Sequence, residues 1–334
     1  MKIPDEFFRC PFPVRVSPDI ELARRQGFEG LSQFGIARSE HRARLVDAWR
    51  SDDLMARTYP LSRGEDLVLM TNFMNLTFDF DDLFDAELGR RPDLAAEAIK
   101  PVIEVFEHPP GWSSPDAGML VTSFSELWRS LAEPMSQEWR ARFARHFTDY
   151  VRMYVWESSN RAADRIPDLA SYVPARKKTS AVGPFVMLAE RAHRLETPPA
   201  IWTSPEFVEM LDITIDHVAW TNDVYALERE QSRHDVHNLV LSIMKDTGCD
   251  SADAIDRSAV MVAELIDRYL ELRVRIPAVC DRLALDMDER MAVDRFVDSG
   301  MESWMSGNID WTVNCTQRYQ QTGDRSLSAQ VTTS

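Results

Sequence analysis

The chain holds 334 residues, 44% apolar and 28% charged, an ordinary balance for a folded protein able to bury a sizeable core. Acidic residues outnumber basic ones 54 to 38, and the formal charge of −16 argues against nucleic acid or an anionic membrane as a partner. Cys10, Cys249, Cys280 and Cys315 are scattered without zinc-ligand spacing and read as thiols in a reducing compartment.

The N-terminal MKIPDEFFRCPFPVRVSPDIEL has no uninterrupted apolar stretch and no small-residue cleavage pattern, so no signal peptide is expected. No apolar run approaches the ~20 residues of a membrane span. A cytoplasmic location follows as the expectation.

Along the chain the signals are helical. Glycine is scarce at 12, and strand-like alternation bounded by hairpin turns is missing. Ser17-Pro18 predicts an N-cap followed by proline at the first helical position. A helix is expected over 38–50, and Ser62-Arg-Gly-Glu65 predicts a capping box ahead of the apolar run Leu67 to Met74. Further helices are expected over 92–107, 120–133, 136–163 and 176–195. Ser204-Pro205-Glu206 opens another, backed by Phe207, Met210, Leu211, Ile213, Ile215 and Val218. Helices over 235–246, 252–275 and 278–305 complete the set. The breaks at Gly89–Pro92, His108–Trp112, Thr197–Pro199 and Gly248 are short loops of the kind that join packed helices. One all-α domain over 1–334 is predicted, with residues 1–15 and 322–334 as mobile ends.

The run NLTFDFDDLFD, residues 75–85, attaches aspartates to a core-like segment. On a helix Asp81 and Asp85 share a face one turn apart, and Asp82 can lean toward the same point. Clustered carboxylates at a helix C-terminus repel one another and meet an unfavourable dipole. A solvated acidic helix end is one reading. The apolar flank favours the other, a site for a hard divalent cation such as Mg²⁺, which binds through one or two carboxylates plus phosphate and water. WTNDVYALERE, residues 220–230, carries Asn222, Ala226 and Glu230 at intervals of four, a stripe down one helix side with an amide oxygen and a carboxylate two turns apart. Alone that pattern is weak.

Together the two segments resemble the class I terpene synthases, in particular the bacterial cyclases. DDLFD (81–85) is similar to their aspartate-rich motif, NDVYALERE (222–230) to their Asn/Ser/Glu metal triad, and Arg318-Tyr319 to their C-terminal Arg-Tyr pair. Trp156 to Arg161 and Tyr172 to Ala181 also match, in the same order, over roughly residues 10–320. The resemblance implies an all-α bundle around an apolar active-site cavity. It implies a linear isoprenyl diphosphate substrate and a cluster of about three Mg²⁺ ions. Farnesyl diphosphate is the expected substrate on family frequency, with geranylgeranyl diphosphate next, and the product a terpene hydrocarbon or alcohol. A homodimer is compatible with the resemblance.

In this reading Asp81, Asp82 and Asp85 face Asn222 and Glu230 as metal ligands. Arg176 senses diphosphate, Arg229, Arg318 and the Tyr319 hydroxyl complete the grip, and the backbone at Thr179-Ser180 forms a kink that responds to the sensor. Charge-assisted bonds suit that grip. Aromatic faces stabilise a passing carbocation without reacting, and Phe73, Phe78, Phe185, Trp220 and Trp304 are the candidates near the motifs. Each is otherwise an ordinary core residue. Ala226 departs from the family, which has Ser or Thr there. Water, or Ser232, is expected to fill the position, or else the chain is an impaired binder.

Other classes fit less well. A prenyl-chain elongating synthase needs a second aspartate-rich motif, absent here. A metal phosphohydrolase, suggested by His217, His234 and Asp235, lacks further histidines at consistent spacing. A lipid-diphosphate-binding scaffold without turnover is the third, and Ala226 lends it weight.

Overall fold

A computed structural model describes residues 10–36, 39–85 and 87–318. The described residues are helical and contain no strand. In chain order the helices are α1 (Ile20–Gln33), α2 (Glu40–Asp47), α3 (Ser51–Thr58), α4 (Gly64–Asp82), α5 (Pro92–Glu107), α6 (Met119–Ala132), α7 (Gln137–Ala162), α8 (Leu169–Thr179), α9 (Val182–Ala192), α10 (Pro205–Ser232), α11 (Leu239–Thr247), α12 (Ser251–Arg273), α13 (Ile276–Arg282), α14 (Met287–Phe296) and α15 (Ser303–Asn314). The expected mobile ends lie largely outside the described residues. Arg15, within the first of them, is anchored by a 2.7 Å ion pair to Asp298. Among the described residues no helix is long and apolar enough to cross a membrane.

Local signals explain most boundaries. Pro92 occupies the first turn of α5, Ser136 accepts a bond from the Trp139 N–H to cap α7, and Asp286 with Glu289 forms a capping box on α14. The box expected at Ser62–Glu65 is not made. The chain enters α4 through extended Arg63, the Ser62 hydroxyl has no partner, and the Gly64 N–H instead donates to Asp19, at 2.8 Å. Likewise the first helix begins at Ile20, because the Ser17 hydroxyl accepts from the Asp19 N–H and donates to the Ser62 carbonyl.

Three predicted helices are interrupted. The one expected over 38–50 stops at Asp47, and Arg50, at φ 56°, redirects the chain into α3. The 176–195 helix breaks at Ser180-Ala181, since Pro184 has no N–H for the carbonyl four residues back. The 278–305 helix divides into α13, α14, a π-helical turn (Val297–Glu302) and the start of α15. Ala284, at φ 53°, makes the first of these breaks. Gly300 in the π turn lets α9 approach, as an added Cβ would sit 3.0 Å from the Ala189 methyl.

α4 packs against α1, α3, α6 and α9, while α10 packs against α8, α9, α11, α12 and α15. The main core runs through an aromatic cluster in which Phe73 contacts Phe124, Phe143, Phe147 and Phe185 at centroid distances of 5.3–6.2 Å. Such tilted and edge contacts hold a ring in one orientation. A second cluster joins α8, α10, α11 and α12 around Tyr172, Trp220 and Leu239.

Candidate active site

The C-terminal half of α4, the α8–α9 break, α7, α10 and α15 enclose a cavity of about 180 Å³. Its wall includes Phe78, Asp81, Asp85, Arg176, Thr179, Ser180, Phe185, Asn222, Arg229, Glu230, Trp304 and Arg318, so most of the residues expected from sequence converge. Tyr319 lies outside the described residues.

Four expectations need correction. α4 ends at Asp82, and the Asp85 N–H bonds back to the Asp82 carbonyl in a tightened turn, so Asp85 reaches the wall from a loop. Asp82 is not on the wall. Its carboxylate is held by Arg42 (2.9 Å) and Arg318 (3.1 Å), which overcome the effect of burial and keep it below the usual range. Phe73 and Trp220 are core residues off the cavity wall. Five residues before Phe78, and two before Asn222, a helix turns the side chain well away from the cavity face. Ser232 is exposed and donates to the Arg229 carbonyl at 2.6 Å, so it does not replace the missing hydroxyl at Ala226.

Asp81 opens onto the cavity but is walled in by protein, and that enclosure, then Asp85, raises its carboxyl to about 6. Glu230 is raised to about 8, first by enclosure and then by Asp223 and Asp235. Arg318 lies 3.0 Å from Asp81, while Arg233 and Arg229 reach Asp85 at 2.5 and 3.5 Å. Asn238 donates to Glu230 at 2.7 Å and to the Asp223 carbonyl at 2.6 Å, fixing the second wall.

These donors fit a divalent cation. Hard carboxylate and amide oxygens line both walls. Among the described residues no three His, Cys, Asp or Glu groups gather as a complete site. That matches an ion held by one or two carboxylates and completed by phosphate oxygens and water.

Arg176 enters from the last turn of α8. It lies 2.6 Å from Asp223 and donates to the Asn222 side-chain oxygen at 3.3 Å. Just beyond, Ala181 holds φ 59°, a left-handed conformation costly for a residue with a Cβ, so the break lining the cavity stores strain. Residues that the motifs did not nominate also line the cavity: Tyr150, Glu157, Arg161, Asp235, His237, Asn308 and Trp311. Tyr150, Tyr154, Glu157 and Arg161 follow a 4-3-4 spacing on α7, a one-face stripe readable in the sequence. Tyr154 links Tyr150 to Asp81, donating to it at 3.0 Å, and Arg161 grips both oxygens of Asp235.

Comparison with known proteins agrees with this geometry. Residues 72–268 match the family model described as terpene synthase family 2, C-terminal metal binding. The 7-epi-alpha-eudesmol synthase of Streptomyces viridochromogenes is 29% identical over 92% of this chain and 90% of its own. Pentalenene synthase of Streptomyces avermitilis is 32% identical over 92% and 91%. The crystal structure of a-eudesmol synthase superposes with a TM-score of 0.84 at 30% identity, covering 91% of this chain and 97% of that one. The chain therefore belongs to the terpene synthase family, and its all-α architecture is that of the class I enzymes. The expected fold class and family are borne out.

Proposed function

We propose that the chain is a Mg²⁺-dependent sesquiterpene synthase that ionises farnesyl diphosphate and cyclises the resulting carbocation with release of diphosphate. The observation that carries this reading is the convergence of Asp81 and Asp85 with Asn222 and Glu230 on one cavity that also holds five arginines and an aromatic wall. The relatives support the C15 substrate: the Streptomyces viridochromogenes enzyme is named as cyclising (2E,6E)-farnesyl diphosphate.

Asp81 and Asp85 on one side, and Asn222 and Glu230 on the other, would hold about three Mg²⁺ ions, whose chemistry is to neutralise charge developing on the leaving diphosphate. Arg176, Arg229 and Arg318 present guanidinium donors to phosphate oxygens. Phe78, Phe185, Trp304 and Trp311 keep bulk water from the reacting chain and face it with π-clouds, each worth about 0.5–2 kcal/mol to a nearby cation. Ala226 supplies no oxygen, so water completes the coordination beside Asn222 and Glu230.

The test is incubation of purified protein with C10, C15 and C20 isoprenyl diphosphates, with and without Mg²⁺, followed by gas chromatography–mass spectrometry. A cyclic C15 product only in the presence of Mg²⁺ is expected. Absence of terpene from every substrate would overturn the reading.

A further inference from the structure

Among the polar groups that line the cavity, ionisation and diphosphate binding leave one buried amide without a role. Asn308 on α15 is 6% exposed, lines the cavity, and its side-chain oxygen is buried without a hydrogen-bond partner. A buried amide oxygen left unpaired is destabilising, so its retention beside two aromatic walls calls for a ligand.

Helical spacing puts Asn308 on the same face as Trp304, four residues before, and Trp311, three residues after; all three line the cavity. Trp304 packs on Phe185 at 6.3 Å and Trp311 stacks on Phe78 at 6.4 Å. The amide thus sits between the two aromatic walls. Neighbouring hydroxyls are engaged elsewhere: Thr77 donates to the Phe73 carbonyl at 2.8 Å, and Tyr150 bonds to Tyr154. An unpaired acceptor inside such a chamber fits a small donor able to enter with the substrate, and water is that donor.

We infer that Asn308 is a specificity-determining residue that holds one water molecule in the chamber and directs it onto the carbocation, so that the product is a terpene alcohol. This rests on the proposed cyclase reading. The water donates one hydrogen to the Asn308 oxygen, which turns an oxygen lone pair toward the chamber. That lone pair forms the new C–O bond at the cationic carbon. The surplus proton of the resulting oxonium passes to the released diphosphate, so one substrate and one water yield one alcohol and one protonated diphosphate.

The experiment runs the wild-type enzyme with farnesyl diphosphate and Mg²⁺ in ¹⁸O-water, then repeats it with Asn308→Leu and the smaller Asn308→Val. A cyclic alcohol carrying ¹⁸O is expected from the wild type. In both variants the alcohol-to-hydrocarbon ratio falls by about tenfold, the value of one hydrogen bond to a positioned ligand, while total cyclic product persists. The inference is overturned by a wild-type product that is purely hydrocarbon, or by an unchanged ratio in whichever variant retains the wild-type helical circular dichroism. Cyclic products of any kind leave the cyclase reading standing in either case. No terpene at all removes that reading and this inference with it.

Discussion

The guanidinium of Arg176, on the cavity wall, lies 2.6 Å from the carboxylate of Asp223, which is fully buried behind it. Tyr172 also donates its hydroxyl to Asp223, and the Leu239 N–H donates to it at 3.1 Å. The proposed diphosphate sensor on α8 is therefore tied to the helix that carries Asn222 and Glu230. Asp223→Leu removes the buried counter-charge of Arg176 and is expected to cost about 2–3 kcal/mol of unfolding free energy, less than for a fully buried pair because Arg176 borders the cavity. The double variant Arg176→Leu/Asp223→Leu recovers part of that stability and none of the turnover. Denaturant unfolding combined with product assay checks both.

Asn238 positions Glu230 with a donor that the side chain of Ala226 cannot supply. Replacing it by Ser keeps the cap on α11 but loses the reach to Glu230. The Mg²⁺ concentration for half-maximal turnover should then rise about 10–100-fold, the usual cost of losing a ligand's supporting bond. Ala226→Ser should lower it by restoring a hydroxyl between Asn222 and Glu230. A Mg²⁺ titration unchanged in both variants contradicts this account of the second wall.

Phe73 and Phe78 are five residues apart and have different work. Phe73 is fully buried among four other rings, so Phe73→Ala should cost about 3–5 kcal/mol, read from thermal or denaturant unfolding. Phe78 lines the cavity under the Arg318 guanidinium, 4.4 Å from its ring. Phe78→Ala should destabilise less and alter turnover or product distribution more.

Asp216 on α10 lies beneath Lys177, at 3.3 Å, and one of its oxygens has no hydrogen-bond partner. Burial raises its carboxyl from the ordinary 3.8 to about 7, against the opposing effect of Lys177. Between those values the folded chain keeps a proton that the unfolded chain has lost, so stability declines as the pH rises through that window and levels above it. Asp216→Asn should match the wild type near the bottom of the window and gain on the order of 1–3 kcal/mol above its top. Equal pH profiles for the two proteins would count against this burial effect.

Much of the molecule was legible in its sequence. Pro92, Pro205 and Ser136 mark helix starts that the structure keeps, and the all-α class follows from their density. Asp81, Asn222, Glu230 and Arg318 line one cavity although more than 200 residues of chain separate the first from the last. What failed depended on tertiary partners. Ser62 carries a capping pattern, yet Asp19, a distant residue, takes the first-turn N–H. Phe73 and Trp220 are aromatic neighbours of motifs, but only helix rotation against a packed core decides which ring meets the cavity. Arg161 lies on α7 while its partner, Asp235, follows α10, so their pairing has no signature in the sequence. Asn308 carries no motif of its own, and its unpaired oxygen is visible only in three dimensions.

The central claim is that two acidic walls, from the end of α4 and from α10, face one another across a metal–diphosphate cluster. Crystals grown with Mn²⁺ and inorganic diphosphate, with anomalous scattering measured at the Mn²⁺ absorption edge, test it most directly. Anomalous peaks touching Asp81 or Asp85 on one side and Asn222 or Glu230 on the other, with Arg176 on the diphosphate, are predicted. Manganese bound elsewhere, or diphosphate seated away from Arg176, would contradict the account.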